Sequence, residues 1–270
     1  MIKFLLVFYI LTGVILANGV AIINGEEGIY LKLVNSEIEV NVESQVAVIT
    51  SRQTFLNQFS KTSVPKYAFP LPADANATGL RWKVNGEWYE ASFQAIPQDT
   101  TSPGTGGSMY EDLKSYLGDT PIYYDIEQGV KADSFLVVEI SYVQLLHYEF
   151  GEVDFTYPND YTKIQSSILD KQEINFNLIS TRTIDNLSMN SSHDSITISN
   201  EGNSANLQSI TFEKPASADY DIQYSLSPDE LGLSGFSTML PSGQIPDSYG
   251  RGFFVYIAEP DPRQRMPRPL

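Results

Sequence analysis

The chain has 270 residues, a formal net charge of −16 and no cysteine. The lack of cysteine excludes disulfides, thiol nucleophiles and zinc sites built from cysteine, and the acidic balance disfavours a nucleic-acid partner because phosphate backbones are also negative. Because 42% of the residues are hydrophobic, we expect a globular protein of one or two domains that a buried core stabilises.

The first residues predict a secretory signal peptide over residues 1–21. Lys3 supplies a positive charge, an apolar run follows from Phe4 to Ala17, and Ala17 and Ala21 are small residues of the kind found at cleavage points. The run is shorter than the ~20 residues of a membrane-spanning helix. An uncleaved N-terminal anchor is the alternative, and both interpretations predict a protein that is secreted or held at the cell surface.

Alternating residues then predict the first strands. Ile38, Val40 and Val42 alternate with polar residues, which is the pattern of a strand with one buried face. Residues 46–49 are apolar at every position and predict an interior strand. Further along, Asn85-Gly86 separates two β-prone segments and predicts a hairpin with a type I′ turn, because both residues tolerate positive φ.

Two prolines mark the segment between these strands. In Phe69-Pro70-Leu71-Pro72 each proline lacks a backbone N–H and has a fixed φ, so the segment cannot continue as a central strand. We interpret it as the exit of a strand that begins at Tyr67 and presents Phe69 and Leu71 to the core. Residues 73–78 are predicted to form a polar connection.

The middle of the chain predicts a loop, a helix and three strands. Residues 97–108 are rich in Gly, Ser, Thr and Pro and predict a loop. Residues 111–117 predict a short helix and residues 122–126 a strand. Residues 135–143 form the longest apolar β run and are predicted as the centre of the sheet, and residues 150–157 close the unit.

Residues 159–258 predict a second antiparallel β region. Short apolar–polar alternations are separated by Asn, Ser and Gly turns; they lie at 173–179, 195–199, 207–212, 221–226 and 253–258. Residues 259–270 form a proline-rich, basic tail.

Several of these motifs together resemble the VIT domain, the vault protein inter-alpha-trypsin module, in order and spacing. The resemblance covers about residues 28–158 and points to the N-terminal region of inter-alpha-trypsin inhibitor heavy chains. It implies an all-β fold, an antiparallel β-sandwich followed by the second β region. The family-motif positions, to which we assign a structural role, are Thr54, Phe55, Asn57, Tyr67, Phe69, Pro70, Leu71, Pro72, Gly79 and Gly86.

The same resemblance implies a non-enzymatic module for protein–protein or matrix contact at the cell surface. In family members a similar proline-rich linker leads into a von Willebrand factor A domain, so we expect such a domain as a neighbour in a longer architecture. The D-x-S-x-S metal signature of that domain occurs nowhere in this sequence. We assign no catalytic, cofactor-binding or metal-binding residue.

Two other functions stay open at this point. A carbohydrate-binding module or extracellular hydrolase would use Trp82 and Trp88, which flank the predicted turn, and burial of the two indoles would remove such a platform. A scaffold that only positions a downstream domain is the third hypothesis.

Three groups of residues that could act as catalytic or metal-binding side chains are predicted to have structural roles instead. His147 is predicted as a partly buried residue within a strand. His193-Asp194-Ser195 is read as a turn, because neighbours in an extended chain point apart and cannot form a triad. Asp219 and Asp221 offer oxygen atoms but lack the glycine and distal glutamate of an EF-hand loop.

Overall fold

A computed structural model describes residues 18–91, 108–149, 151–189, 195–227, 232–239 and 252–259. The apolar run of the predicted signal peptide, His193 and most of the predicted loop over 97–108 lie outside the described residues, as does the tail from residue 260. Within the described ranges, the helix is too short and too polar to cross a membrane.

The regular secondary structure of the described residues consists of strands apart from one helix, which confirms the all-β class. Before the helix α1 (Ser108–Leu117) come β1 (Val20–Asn24), β2 (Ile29–Tyr30), β3 (Lys32–Glu43), β4 (Val46–Leu56), β5 (Lys66–Pro70), β6 (Ala75–Val84) and β7 (Glu87–Glu90). After it come β8 (Pro121–Asp125), β9 (Phe135–Leu145), β10 (His147–Glu149), β11 (Glu152–Tyr157), β12 (Leu169–Ile179), β13 (Ile184–Met189), β14 (Ile196–Asn200), β15 (Ser204–Lys214), β16 (Tyr220–Leu226), β17 (Gly232–Met239) and β18 (Gly252–Glu259).

These strands form one large sheet and three smaller ones. The large sheet has the order β14-β15-β12-β3-β4-β9-β6-β7. The first small sheet has the order β2-β1-β5-β8 and the second small sheet β10-β11-β16-β13, while β17 and β18 form a separate ribbon. All pairs are antiparallel except β3 with β12, which run parallel with Ile38 opposite Ile174.

The two small sheets cover the same face of the large sheet, one beside the other. The large sheet contacts the first small sheet through the ring pairs Phe55–Tyr67 and Phe69–Tyr142. It contacts the second small sheet through the ring pairs Phe176–Phe155 and Phe176–Tyr224. The core therefore lies between one broad layer and two narrow ones, and no second layer of the described strands covers the other face of the large sheet.

The strands of the predicted second region belong to the same sheets as the predicted VIT unit. β12 and β15 extend the large sheet from its β3 side, and β16 pairs with β11 in the second small sheet. The predicted division at residue 158 therefore does not separate two sheets.

Most local predictions are confirmed at the level of single strands, and three need correction. Asn85 and Gly86 have φ values of 54° and 92°, which confirms the type I′ turn. Val48 is 43% exposed, so its strand is not buried on both faces as predicted. β6 begins at Ala75, inside the segment predicted as a polar connection, and β9 is interior but lies towards one side of the large sheet.

A buried polar cluster lies where the two small sheets meet. The Oδ1 atom of Asn18 accepts hydrogen bonds from Ser36 Oγ (3.0 Å) and Gln53 Nε2 (3.0 Å), and its Nδ2 donates to Asn159 Oδ1 (2.8 Å). Tyr67 donates its hydroxyl to Gln53 Oε1 at 2.8 Å. The cluster pairs polar groups that would be costly to bury alone, and it connects both small sheets to the large sheet.

Six of the buried tyrosines predict how the fold responds to alkaline pH. These tyrosines are Tyr67, Tyr116, Tyr142, Tyr157, Tyr161 and Tyr220. Burial is the largest cause that raises the pKa of each phenol above the ordinary value of 10.0. Since these pKa values are higher in the folded chain than in the unfolded one, the stability they contribute is complete below pH 10 and is lost as the pH rises above it.

We therefore expect these six phenols to ionise only as the protein unfolds. The measurement is an alkaline titration that follows phenolate absorbance and the circular dichroism of the sheets together. In denaturant the same phenols should ionise near the ordinary value. Their ionisation near pH 10 with the sheet signal intact would contradict the prediction.

Candidate functional site

The uncovered side of the large sheet is the main candidate for a functional surface, and we call it the open face. Alternate residues of β12, β3, β4, β9 and β6 point to this side, opposite the core residues of the same strands. A shallow depression of about 420 Å³ lies in its middle and is lined by side chains from all five strands.

A row of charged side chains crosses this depression, and we call it the charged row. In the register of the sheet it runs Glu173, Glu37, Arg52, Glu139, Arg81 from β12 to β6. Each residue is opposite the next on the neighbouring strand, so opposite charges face each other at three of the four steps. Cross-strand pairs of this kind stabilise a sheet modestly.

Glu139 holds two arginines at the centre of the row. Its Oε2 accepts from Arg52 Nη2 at 2.8 Å, and its Oε1 accepts from Arg81 Nε at 2.6 Å. The glutamate side chain is only 11% exposed, whereas the two arginine side chains are 47% and 49% exposed. The buried carboxylate thus fixes two guanidinium groups that still face solvent.

The β12 side of the face is acidic, with one lysine between two glutamates. Lys171 Nζ lies 2.6 Å from Glu173 Oε2 and 3.0 Å from Glu37 Oε1. The hydrogen bonds with Glu173 and then Glu37 raise the pKa of Lys171. The pKa of Glu39 is also raised, first by burial and further by the charge of Glu173, against the hydrogen bond that Asn177 donates to it.

Exposed apolar side chains border the charged row at both ends of the strands. Val48, Leu145 and Ile179 lie at the end near the β3–β4 turn and are 43%, 53% and 54% exposed. At the other end, the exposed apolar side chains of the same face are Trp88, Phe135 and Phe212. The open face therefore combines a polar middle with apolar margins.

The two tryptophans do not form a common platform. Trp82 is 5% exposed and lies in the core face of β6, where its Nε1 donates to Gln128 Oε1 at 2.8 Å. Trp88 is 43% exposed on the open face, and the guanidinium carbon of Arg81 lies 4.6 Å from its ring centre. Since one indole is buried, the paired aromatic surface of the carbohydrate hypothesis is not formed.

The family-motif residues lie mainly in the core and the turns around β5. Phe55, Tyr67 and Phe69 are buried at 0%, 1% and 0% exposure, and Pro70 and Pro72 are buried with them while Leu71 is partly buried. Thr54 lies on the open face opposite Val137, Gly79 lies opposite Ser141 in β6, and Gly86 is at the type I′ turn.

Asn57 is the motif residue with the most polar contacts. Its side chain is fully buried, and its Nδ2 donates to the carbonyls of Val130 (2.8 Å) and Lys61 (2.9 Å). Its Oδ1 accepts from the backbone N–H of Phe59 at 3.1 Å. The residue thus holds the segment after β4 against the loop before β9.

The titratable candidates are dispersed. His147 is exposed in β10 opposite Asp154, so its predicted partial burial was wrong. It keeps the alternation of Val143 and Leu145, and the side of the chain that these residues share is the exposed one, since Leu145 is itself 53% exposed. Asp219 Oδ1 accepts from the backbone N–H of Asn159 and Asp160, and burial is the main cause that raises its pKa. Among the residues the structure describes, no three His, Asp or Glu side chains are grouped as a metal site.

Sequence reasoning did not identify the open face. Its residues are ordinary when read singly, and only the pairing of strands brings Arg52 and Arg81 to the same carboxylate. Apolar residues such as Val48 and Val143 lie on the face that their strands expose, but a run that is apolar at every position is equally typical of a strand buried on both faces.

Comparisons with known proteins identify one family and a shared fold. No curated protein matches the chain. A candidate nutrient binding protein from Legionella pneumophila is 12% identical, covers 78% of this chain and 71% of its own, and has a TM-score of 0.51. An M1 zinc metallopeptidase from Deinococcus radiodurans is 9% identical, with 77% of this chain and 43% of its own covered and a TM-score of 0.42.

The Legionella likeness shows a shared fold and nothing finer, and the chain spans less than half of the metallopeptidase. The profile of one family, described as the Vault protein inter-alpha-trypsin domain, matches residues 33–97. This match contains β3 to β7, both motif prolines and the type I′ turn, and it confirms the resemblance predicted from the motifs. Residues 33–97 of this chain belong to the VIT domain family.

Proposed function

We propose that the protein is a non-enzymatic interaction module of a VIT-type surface protein, outside the cytoplasm, and that a protein partner binds its open face. The observation that carries the proposal is the combination on one sheet face of exposed apolar side chains with arginines fixed by a buried carboxylate. A von Willebrand factor A domain as a neighbour remains part of this proposal, on the strength of the family resemblance.

The apolar margins support a protein partner. Six large apolar side chains of the open face are 43% to 60% exposed, and exposed apolar groups gathered on one surface favour contact with another protein. Aromatic residues and arginine are also the residue types that contribute most to protein interfaces. Trp88 with Arg81 at 4.6 Å provides both at one place.

The fixed arginines support a specific contact. Because Glu139 already orients Arg52 and Arg81, less side-chain entropy is lost when a partner's carboxylate or carbonyl meets them. The carboxylates of the row are themselves engaged in ion pairs, which supports a recognition surface in preference to acid–base chemistry. The description of the Legionella relative as a candidate nutrient binding protein is in line with a binding role.

The test is site-specific photocrosslinking in the cells that produce the protein. A benzophenone amino acid is placed at Val48 or Phe212 on the open face, with Glu152, exposed on the outer side of β11, as the control position. We expect a covalent adduct with one protein from both open-face positions and none from Glu152. Equal adducts from all three positions, or none from the open face, would refute the proposal.

Truncation of an apolar margin should weaken the same contact. We expect Phe212→Ala to lower the affinity for the crosslinked partner about tenfold, which corresponds to roughly 1.4 kcal/mol. Val64→Ala is the matched control, since Val64 is equally exposed at 60% but lies before β5, away from the open face. Equal affinities of the two variants would contradict the assignment of the surface.

A further inference from the structure

The structure distinguishes between the two small residues at which the leader could be removed. Ala17 and Ala21 each supply a small last residue for a leader; the residue two positions earlier is Ile15 for the first and Gly19 for the second, and the two alanines lie on opposite sides of Asn18. Asn18 is 0% exposed and lies two residues before β1. Cleavage after Ala21 would remove it, whereas cleavage after Ala17 would keep it.

We propose that the leader is cleaved between Ala17 and Asn18, so that the mature protein begins with Asn18. Water hydrolyses this one peptide bond under catalysis by a signal peptidase of the export pathway, which leaves a carboxylate on Ala17 and an amine on Asn18. The inference rests on the proposed export of the chain and specifies where the exported chain starts.

The side chain of Asn18 is hydrogen-bonded to four buried residues. Its Oδ1 accepts from Ser36, Gln53 and Tyr157, and its Nδ2 donates to Asn159. Without residue 18, these groups would lose a shared partner at positions where the protein is closed to solvent. Buried polar groups without partners are strongly destabilising.

The backbone of residues 18–21 is also hydrogen-bonded to the rest of the fold. The carbonyl of Asn18 accepts from the buried hydroxyl of Tyr116 at 2.7 Å, and the N–H of Gly19 donates to Gln53 Oε1 at 3.1 Å. The carbonyl of Ala21 accepts from the N–H of Leu31 at 2.9 Å. Residues 18–21 are therefore connected to the helix, to the large sheet and to the chain that follows β2.

The pairing of β1 with β5 extends to both sides of the Ala21–Ile22 peptide bond. Three residues of β1 pair with β5, namely Val20 with Ala68, Ala21 with Tyr67 and Ile22 with Lys66. Cleavage after Ala21 would leave only the last pair and would remove Val20 and Ala21, both 0% exposed, from the core. A chain that began at Ile22 would thus lack the first two residues of β1, which is an interior strand of its sheet.

The direct experiment is to determine the N-terminus of the exported protein by sequencing and intact mass. We expect the full-length gene product to yield a mature chain that begins with Asn18. An exported chain that begins at Ile22, at Met1 or at any other residue would overturn this inference alone. Retention of the whole chain in the cytoplasm would overturn both the proposed export and this cleavage site.

A variant provides an independent readout on the mature protein. Asn18→Ala, made in the full-length gene, should lower the Tm of the exported protein by at least about 5 °C, because several buried groups lose their partner. Glu27→Ala is the control: Glu27 is exposed in the turn after β1, and no change is expected. An unchanged Tm for Asn18→Ala would mean that residue 18 is not part of the mature fold and would overturn the inference.

Discussion

Replacement of Gly19 by alanine is expected to lower the free energy of unfolding by about 3 kcal/mol, at the upper end of the usual cost of overpacking. A Cβ atom at this position would lie 2.2 Å from the Tyr67 hydroxyl oxygen and 2.4 Å from its Cζ. Tyr67 cannot easily move away, because its hydroxyl donates to Gln53 and its ring contacts Phe55. Urea unfolding of the purified protein measures the effect.

Gly79→Ala is the matched control for this prediction. A Cβ atom on Gly79 would lie 3.8 Å from Ser141 Cβ, an ordinary van der Waals contact, so the change in unfolding free energy should stay within about 0.5 kcal/mol. In a Tyr67→Ala background, Gly19→Ala should cost much less, because the clashing ring is gone. A small effect of Gly19→Ala in the unaltered chain would contradict the close packing of Gly19 against Tyr67.

The sequence predicts which face of each strand is buried, but it does not predict which strands are neighbours in a sheet. Ile38 and Ile174 each lie in a clear alternation, and both are buried as that pattern predicts. The same pattern does not say that the two are opposite each other in a parallel pair across 136 positions of sequence. Alternation defines which side of a strand is buried, whereas strand pairing depends on contacts over the whole chain.

The polar cluster between the small sheets could not be predicted for a related reason. Ser51 and Gln53 interrupt the apolar inward face of β4, and in sequence they look like a partly exposed stretch. In the fold both are 0% exposed, because Tyr157 and Tyr67 from two different sheets provide hydroxyl groups to them. A polar residue can be buried when other residues form hydrogen bonds with it. Because those partners are far away in the sequence, the sequence pattern alone does not predict the burial.

The exposed residues of the open face could be predicted from the sequence, but which of them lie next to each other depends on the register of the strands. Arg52 lies 87 positions from Glu139, and Arg81 lies 58 positions from it. Each looks like an ordinary solvent-facing residue of an alternating strand. A shift of one residue in either pairing would separate the charges and turn the arginines towards the core.

Asn57→Ala is expected to lower the free energy of unfolding by about 3 kcal/mol, since several buried hydrogen bonds depend on one side chain. The carbonyl of Lys61 and the N–H of Phe59 would lose the amide that pairs with them, and the segment after β4 would no longer be held to the loop before β9. Asn57→Asp should be at least as harmful, because a buried carboxylate would face the carbonyls that now accept from Nδ2.

Gln58→Ala separates the effect of burial from that of hydrogen bonding. Gln58 also bridges two backbone groups, accepting from Lys32 N–H at 3.0 Å and donating to the Tyr30 carbonyl at 2.9 Å, but it is exposed. Water can replace its contacts, so we expect a loss of no more than about 0.5 kcal/mol. Denaturant unfolding of both variants makes the comparison. Similar losses at the two positions would mean that the motif asparagine contributes only local hydrogen bonds, whereas a large difference would show that it closes a buried connection in the VIT fold.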